Sequence, residues 1–138
     1  MADYNKVGLL TMRDDRILLC RKQAGTSRLI LPGGCFEPGE TDEECLRREL
    51  VEELGPVEAA NLEYVGTYQD QAAGAGNKSV RIELYRGDLV GEPVANSEIA
   101  ALVWFGSEDD RAQLSPSIRN KIFPDLIRRG LLSWSESS

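Results

Sequence analysis

The chain has 138 residues, 41% of them hydrophobic and 28% charged, with a formal net charge of −7 and no histidine. This is one domain's worth of soluble, core-forming sequence. The acidity weighs against a nucleic-acid backbone or an anionic membrane surface as the main partner, and the lack of histidine removes histidine catalysis and disfavours a zinc site. A small anionic substrate stays open, because bound cations can invert a local field.

In chain order, residues 4–12 and 16–22 are apolar-rich runs split by Arg13-Asp14-Asp15 and read as a hairpin. A polar connection, 24–28, leads to a brief strand at Leu29–Leu31 and a tight turn at Pro32-Gly33-Gly34. A helix is expected from Asp42 to Leu54. Thr41 is its N-cap, Glu44 completes a capping box, and Gly55-Pro56 stops it. Strands are expected at 61–69, 80–89 and 100–105. The small, polar stretch 70–79 between the first two reads either as a simple hairpin tip or as a substrate loop. Residues 108–114 read as a short helix, and Pro116 opens a final helix through Arg129, ended by Gly130. With no repeat or linker, we expect one domain over 1–138, with 131–138 a partly frayed tail unless Trp134 docks. Cys20, Cys35 and Cys45 lack zinc-knuckle or redox spacing and read as reduced thiols of a cytoplasmic protein. No segment reads as a leader or a membrane span.

The chemistry concentrates in the helix 42–54 and the turn before it. At about 100° per residue, Glu49, Glu52 and Glu53 share one face, beside an apolar stripe of Leu46, Leu50 and Leu54. Like charges one turn apart cost roughly 0.2–0.5 kcal/mol on an open helix. Arg48 can reach Glu44 and Glu52, but one guanidinium cannot neutralise the set. A solvated glutamate face is the plain alternative for any one of these residues. The cluster as a whole, with no lysine interleaved and a glycine turn leading into it, suits a hard divalent cation such as Mg²⁺.

Gly34, Glu40, Arg48, Glu49, Leu50, Glu52, Glu53 and Gly55 together match the signature of the Nudix hydrolases: G, five residues, E, seven residues, R-E-apolar-x-E-E-x-G-apolar. Average composition gives that match by chance at about 10⁻⁷ per chain of this length. The one departure is Pro56 at the last apolar position, and proline still stops the helix. The chain therefore resembles this family over about a sixth of its length. The flanks are similar too, with a hairpin before the motif, Trp104-Phe105 in a late strand and a terminal helix.

The resemblance implies a Nudix fold: an α/β/α sandwich with a mixed β-sheet and the motif on a loop-helix-loop. It also implies Mg²⁺-dependent hydrolysis of a nucleoside diphosphate linked to another group, with Mn²⁺ able to substitute. Glu49, Glu52 and Glu53, with the Gly33 carbonyl, would hold metal. Glu52 or Glu53 would orient or deprotonate water, and Arg48 would orient a carboxylate. Glu40 looks structural, satisfying backbone donors of the turn. Relatives often carry a glutamate shortly before such a late strand, which makes Glu98 a further ligand or base, with a solvated loop residue as the alternative. Glu37 and Asp70 are weaker candidates.

A short chain with only the core fold resembles the MutT-like enzymes, which implies a nucleoside triphosphate, oxidised or not, cleaved to monophosphate and pyrophosphate. Asn120 is then a positional match for an asparagine that reads a purine edge. Alternatives are a nucleotide sugar, ADP-ribose, an RNA 5′ end, or a non-catalytic regulatory module. Such modules usually lose motif glutamates, and none is lost here. The partner expected is a small nucleotide, without membrane or stable nucleic-acid binding, and a homodimer stays open.

Overall fold

A computed structural model describes residues 2–74 and 76–135. The expected hairpin of 4–12 with 16–22 is reduced to its tip: β2 (Met12–Arg13) pairs with β3 (Arg16–Lys22), while β1 (Tyr4–Leu10) pairs elsewhere, in the other sheet. Asp14 and Asp15 both take positive φ at its tip, a conformation that aspartate tolerates better than most residues. The turn glycines then differ from expectation. Gly33–Cys35 is a short strand, β4, antiparallel to β1. Leu29 and Ile30, expected as a strand, make only isolated bridges to Leu114 and Cys20.

Helix α1 (Asp42–Leu54) follows, then the long hairpin β5 (Glu58–Gln71) and β6 (Ser79–Val90), and then β7 (Ile99–Phe105). β5 outruns the expected 61–69 because two bulges, at Ala60/Glu63 and Tyr64/Gly66, let it bend and keep pairing with β6. The expected mixed sheet is the four-stranded one, ordered β4-β1-β6-β5, in which β1 and β6 run parallel. A second, antiparallel sheet, β2-β3-β7, completes the middle layer.

Strand alternation sends apolar side chains to both sides of that layer. On β3, Leu18 and Cys20 pack with Leu46, Leu50 and Leu54 of α1, while Ile17 and Leu19 join a second cluster under the terminal helix. On β1, Val7 and Leu9 serve the α1 cluster. Each fully buried leucine or isoleucine contributes roughly 1.5–3 kcal/mol of transfer free energy.

The short helix expected at 108–114 is one 3₁₀ turn, Arg111–Gln113, capped by Asp110. The final helix exists but is not uniform. Ile118–Ile122 is a π-helical turn in which Phe123 N–H donates to the Ile118 carbonyl, and α2 (Phe123–Arg128) follows. Pro124 explains the break, since it has no N–H for the carbonyl four residues back. The tail docks: Leu132 and Trp134 are buried, and Trp134 stacks edge-on against Phe123 at 5.4 Å between centroids. Residues 136–138 of the expected frayed tail lie outside the described residues. Among the described residues no helix is long and apolar enough to cross a membrane.

Candidate active site

The entry to α1 is built by local bonds. Glu44 N–H donates to Thr41 Oγ1 (3.2 Å) and Thr41 N–H to Glu44 Oε1 (2.9 Å), closing the capping box. Glu37 N–H donates to Glu40 Oε1 (2.8 Å), so Glu40 does satisfy the turn backbone. Arg48 binds the turn to the helix. Its Nε and Nη2 donate to both oxygens of Glu40 (2.7 and 2.9 Å) and Nη2 to the Cys35 carbonyl (3.1 Å). Its Nη1 reaches Glu49 (3.1 Å) and Glu52 (3.4 Å). Glu44, expected as a partner, is occupied by the cap. The Arg48 bonds and the Glu37 N–H hold the Glu40 carboxyl down at about 2.

The glycines let carboxylates meet backbone. A Cβ on Gly34 would collide with the Glu49 carboxylate, and one on Gly33 (φ 136°) would collide with the Val7 carbonyl oxygen. Glu53 is 5% exposed, and its Oε1 accepts from Gly33 N–H at 2.9 Å. Burial, opposed by that bond and reinforced by the charges of Glu49 and Glu98, pushes its carboxyl up to about 7. Burial also raises Glu49, with Arg48 opposing and the charges of Glu52 and Glu98 adding.

These carboxylates are short of cations. The last turn of α1 holds Glu52 and Glu53 with no basic residue, at the end where the helix dipole is already negative. A bare Gly34 cradling Glu49, and oxygen donors only, fit a hard divalent ion. Among the described residues no three Asp, Glu, Cys or His side chains converge on a finished cage. Two carboxylates completed by water and substrate phosphates is the Mg²⁺ pattern, so the residues present suit that ion.

Gly33, Glu49, Glu53 and Glu98 line one cavity of 440 Å³. Glu98 comes from the loop before β7 and lies close enough for its charge to act on both Glu49 and Glu53. Glu52 does not line the cavity, and is half-exposed and tied to Arg48. Asn120 does not line this cavity; its Nδ2 donates to Asp70 Oδ2 at 3.3 Å. Glu37 stays 3.6 Å from Arg48 on the exposed side. The cavity also contains groups that sequence reading missed: Tyr4 and Lys6 on β1, Lys22, Thr26, Ser115 and Ser117. Only the period-two alternation of β1, which sends Lys6 and Gly8 away from Val7 and Leu9, carried a signal for any of them. Ala72 to Gly74 line it as well, so stretch 70–79 is both the β5–β6 connection and a cavity wall. Its tip packs so closely on the opposite loop that a Cβ on Gly74 would meet Gly25 and Thr26.

Known proteins share this sequence pattern and fold. The NUDIX domain family matches residues 5–126. The chain is 32% identical over 106 residues to the CTP pyrophosphohydrolase of Escherichia coli (strain K12), covering 75% of this chain and 76% of that one. It is 34% identical over 102 residues to the NAD-capped RNA hydrolase NudC of Pseudomonas putida (strain GB-1), covering 73% of this chain but only 36% of NudC. The solution structure of the E. coli ORF135 protein superposes with a TM-score of 0.73 at 28% identity, over 95% of this chain and 94% of that one. Motif, fold and cavity agree with the sequence match, and the chain belongs to the NUDIX family of hydrolases.

Proposed function

We propose that this Nudix hydrolase cleaves a nucleoside triphosphate to the monophosphate and pyrophosphate, using Mg²⁺ or, in its place, Mn²⁺. The observation that carries the reading is the polarity of the cavity. Glu49, Glu53 and Glu98 line it as a group of interacting charges, and Leu31, Val80, Ile82 and Ile118 line it as members of one apolar cluster. A nucleotide has the same two-part character: charged phosphates that need a cation, and a flat base that prefers apolar walls. The similarity to a CTP pyrophosphohydrolase over most of both chains supports a triphosphate. Three free thiols fit a reducing, cytoplasmic setting.

In this reading Glu49 and Glu53, with the Gly33 carbonyl, would hold the ion, with Glu52 beside them on Arg48. When bound it polarises phosphoryl oxygens, lowers the pKa of the attacking water and shields the leaving charge. Arg48 positions Glu49 and Glu52 and takes no part in bond-breaking. Lys6 and Lys22 line the cavity and offset phosphate charge. Water attacks one phosphorus, the bridging P–O bond breaks, and Glu98 takes up the proton. Glu98→Gln should then lower kcat far more than it raises KM.

The test is pyrophosphate and phosphate release over CTP, purine triphosphates and their oxidised forms, nucleotide sugars and ADP-ribose, with Mg²⁺ and with chelator. Triphosphate turnover that EDTA abolishes supports the reading, and turnover that survives exhaustive chelation overturns it. The likeness to NudC favours a second reading, a capped RNA 5′ end, so NAD-capped RNA belongs in the panel. The net charge of −7 counts against it.

A further inference from the structure

Lys6 is an unpaired cation in a cavity that Glu49, Glu53 and Glu98 also line. It lies on the cavity side of β1, with Tyr4 and Gly8, while Val7 and Leu9 turn to α1. Its neighbours across the sheet are Cys35 on β4 and Ile82 on β6, so neither flank offers it an acidic side chain. Among the described residues its ammonium makes no hydrogen bond or ion pair, although the residue is half-buried. It still acts on the site. Burial dominates at the raised Glu53 carboxyl, and of the charges felt there Glu49 and Glu98 add to the effect while Lys6 opposes it.

An ammonium held partly out of water costs free energy unless an anion meets it. The nearby carboxylates have other partners: Arg48 donates to Glu49 and Glu52, and Gly33 N–H donates to Glu53. The metal-binding side is correspondingly thin. Glu49 and Glu53 with the Gly33 carbonyl suit one hard ion, and among the described residues no three Asp, Glu or Cys side chains converge. Two-ion sites hold their ions about 3.5–4 Å apart, which takes more carboxylates than these. A triphosphate carries more negative charge than one divalent ion offsets. An ammonium is a compact point charge with three donors, suited to phosphate oxygens.

We propose that Lys6 is a built-in cation of the hydrolytic site: its ammonium contacts the substrate's phosphates and supplies the positive charge that a second divalent ion would otherwise bring. This rests on the triphosphate reading above. Removing the charge should then do two things. It slows hydrolysis, and it opens the carboxylates to a further ion.

The test compares wild type with Lys6→Met, which keeps the length and loses the charge, and Lys6→Arg, which keeps the charge. Electron paramagnetic resonance counts bound Mn²⁺ in the nucleotide-free protein. Wild type and Lys6→Arg should hold one ion tightly, and Lys6→Met two. Kinetics then follow the rate against free Mg²⁺, with the triphosphate supplied as its Mg²⁺ complex. At low free Mg²⁺, Lys6→Met should turn over on the order of 100-fold more slowly, the worth of one preorganised group at developing charge. Raising Mg²⁺ should restore much of that loss, with the rate rising as a higher power of the metal concentration than in wild type. Equal ion counts in wild type and Lys6→Met, or a deficit in kcat that Mg²⁺ leaves untouched, overturns the proposal. If Lys6→Met melts early, Lys6→Gln takes its place in the same comparison. Failure of every triphosphate to turn over would sink the function above, and the Mn²⁺ count, which needs no substrate, would still decide whether Lys6 stands in for an ion.

Discussion

Two segments meet at the cavity and are held there in opposite ways. The stretch Gly33–Gly55 is fixed mostly by itself: Thr41 and Glu44 cap each other, Arg48 ties Glu40, Glu49 and Cys35, and Glu53 holds Gly33. The stretch from Ser115 to Trp134 is fixed from far away. Tyr68 OH donates to Asp125 (2.5 Å), Arg129 donates to the Val65 carbonyl (3.0 Å), and Phe123 and Trp134 pack on Phe105. The first segment carries charge into the cavity and the second carries shape. Mutations should therefore separate them, with the first losing turnover and the second losing fold.

Glu53→Gln should show the largest effect. Its amide oxygen can still accept from Gly33, so the fold should stay while kcat falls roughly 10³-fold, because one charge and one hard ligand for the ion are lost. Near-normal kcat in a folded variant would remove Glu53 from the chemistry. Next comes Trp134→Ala, expected to cost about 3–5 kcal/mol in denaturant unfolding, as for other buried aromatics, with kcat per folded molecule preserved. A variant that kept its stability would show that the tail is not an anchor. Gly34→Ala crosses the two categories. Its new methyl must push aside the Glu49 carboxylate, the far end of a flexible side chain, so melting should barely change while kcat/KM falls roughly tenfold or more through misplacement.

A pH series sharpens the contrast further. Glu53 sits at about 7 in the folded protein against an ordinary 4.5. With the folded pKa raised, its stabilising contribution is complete below about pH 4.5 and is lost as pH rises through about 7. In chelator, wild type should therefore lose melting temperature relative to Glu53→Gln across that window. Added Mg²⁺ should reverse the trend, because binding requires the ionised carboxylates. A constant difference between the two proteins would refute the buried-charge account. The smallest effect should be that of Asn120→Ala, which removes one 3.3 Å surface bond to Asp70 and should leave KM and melting within the usual surface range of roughly 0.5 kcal/mol.

The same contrast explains what sequence could tell. The cap at Thr41, the stop at Gly55 and the adjacency of Glu49 and Glu53 depend on residues within a turn or two of one another, and all were legible, whereas Glu52 turns out to pair with Arg48 outside the cavity lining. Gly33–Cys35 was read as a loop because its strand character comes from pairing with β1, 25 or more residues earlier. Arg48 was assigned to Glu44 by helical spacing, whereas the turn folds Glu40 back into reach. Asn120 was placed in the site by its position relative to an asparagine of the resembled enzymes, whereas its side chain here donates to Asp70. Ser115 and Ser117 gave no signal at all, since serine beside proline is ordinary helix-start sequence, and only the long-range placement of that helix makes them cavity residues.

The π-helical turn at Ile118–Ile122 also acts as a phase adjuster. It adds a residue to one turn, and each residue is worth about 100° of rotation. Ile118, which lines the cavity before the turn, and Phe123 and Leu126, beyond it, thereby all reach the one core cluster that holds Trp134. Removing one residue within the turn would offer the chain a regular helix, but would swing the residues on one side of it out of register with that cluster. This segment is therefore far more sensitive to changes in length than to changes in side chain, and insertions or deletions between Pro116 and Pro124 are the lesions that would uncouple the cavity from the core.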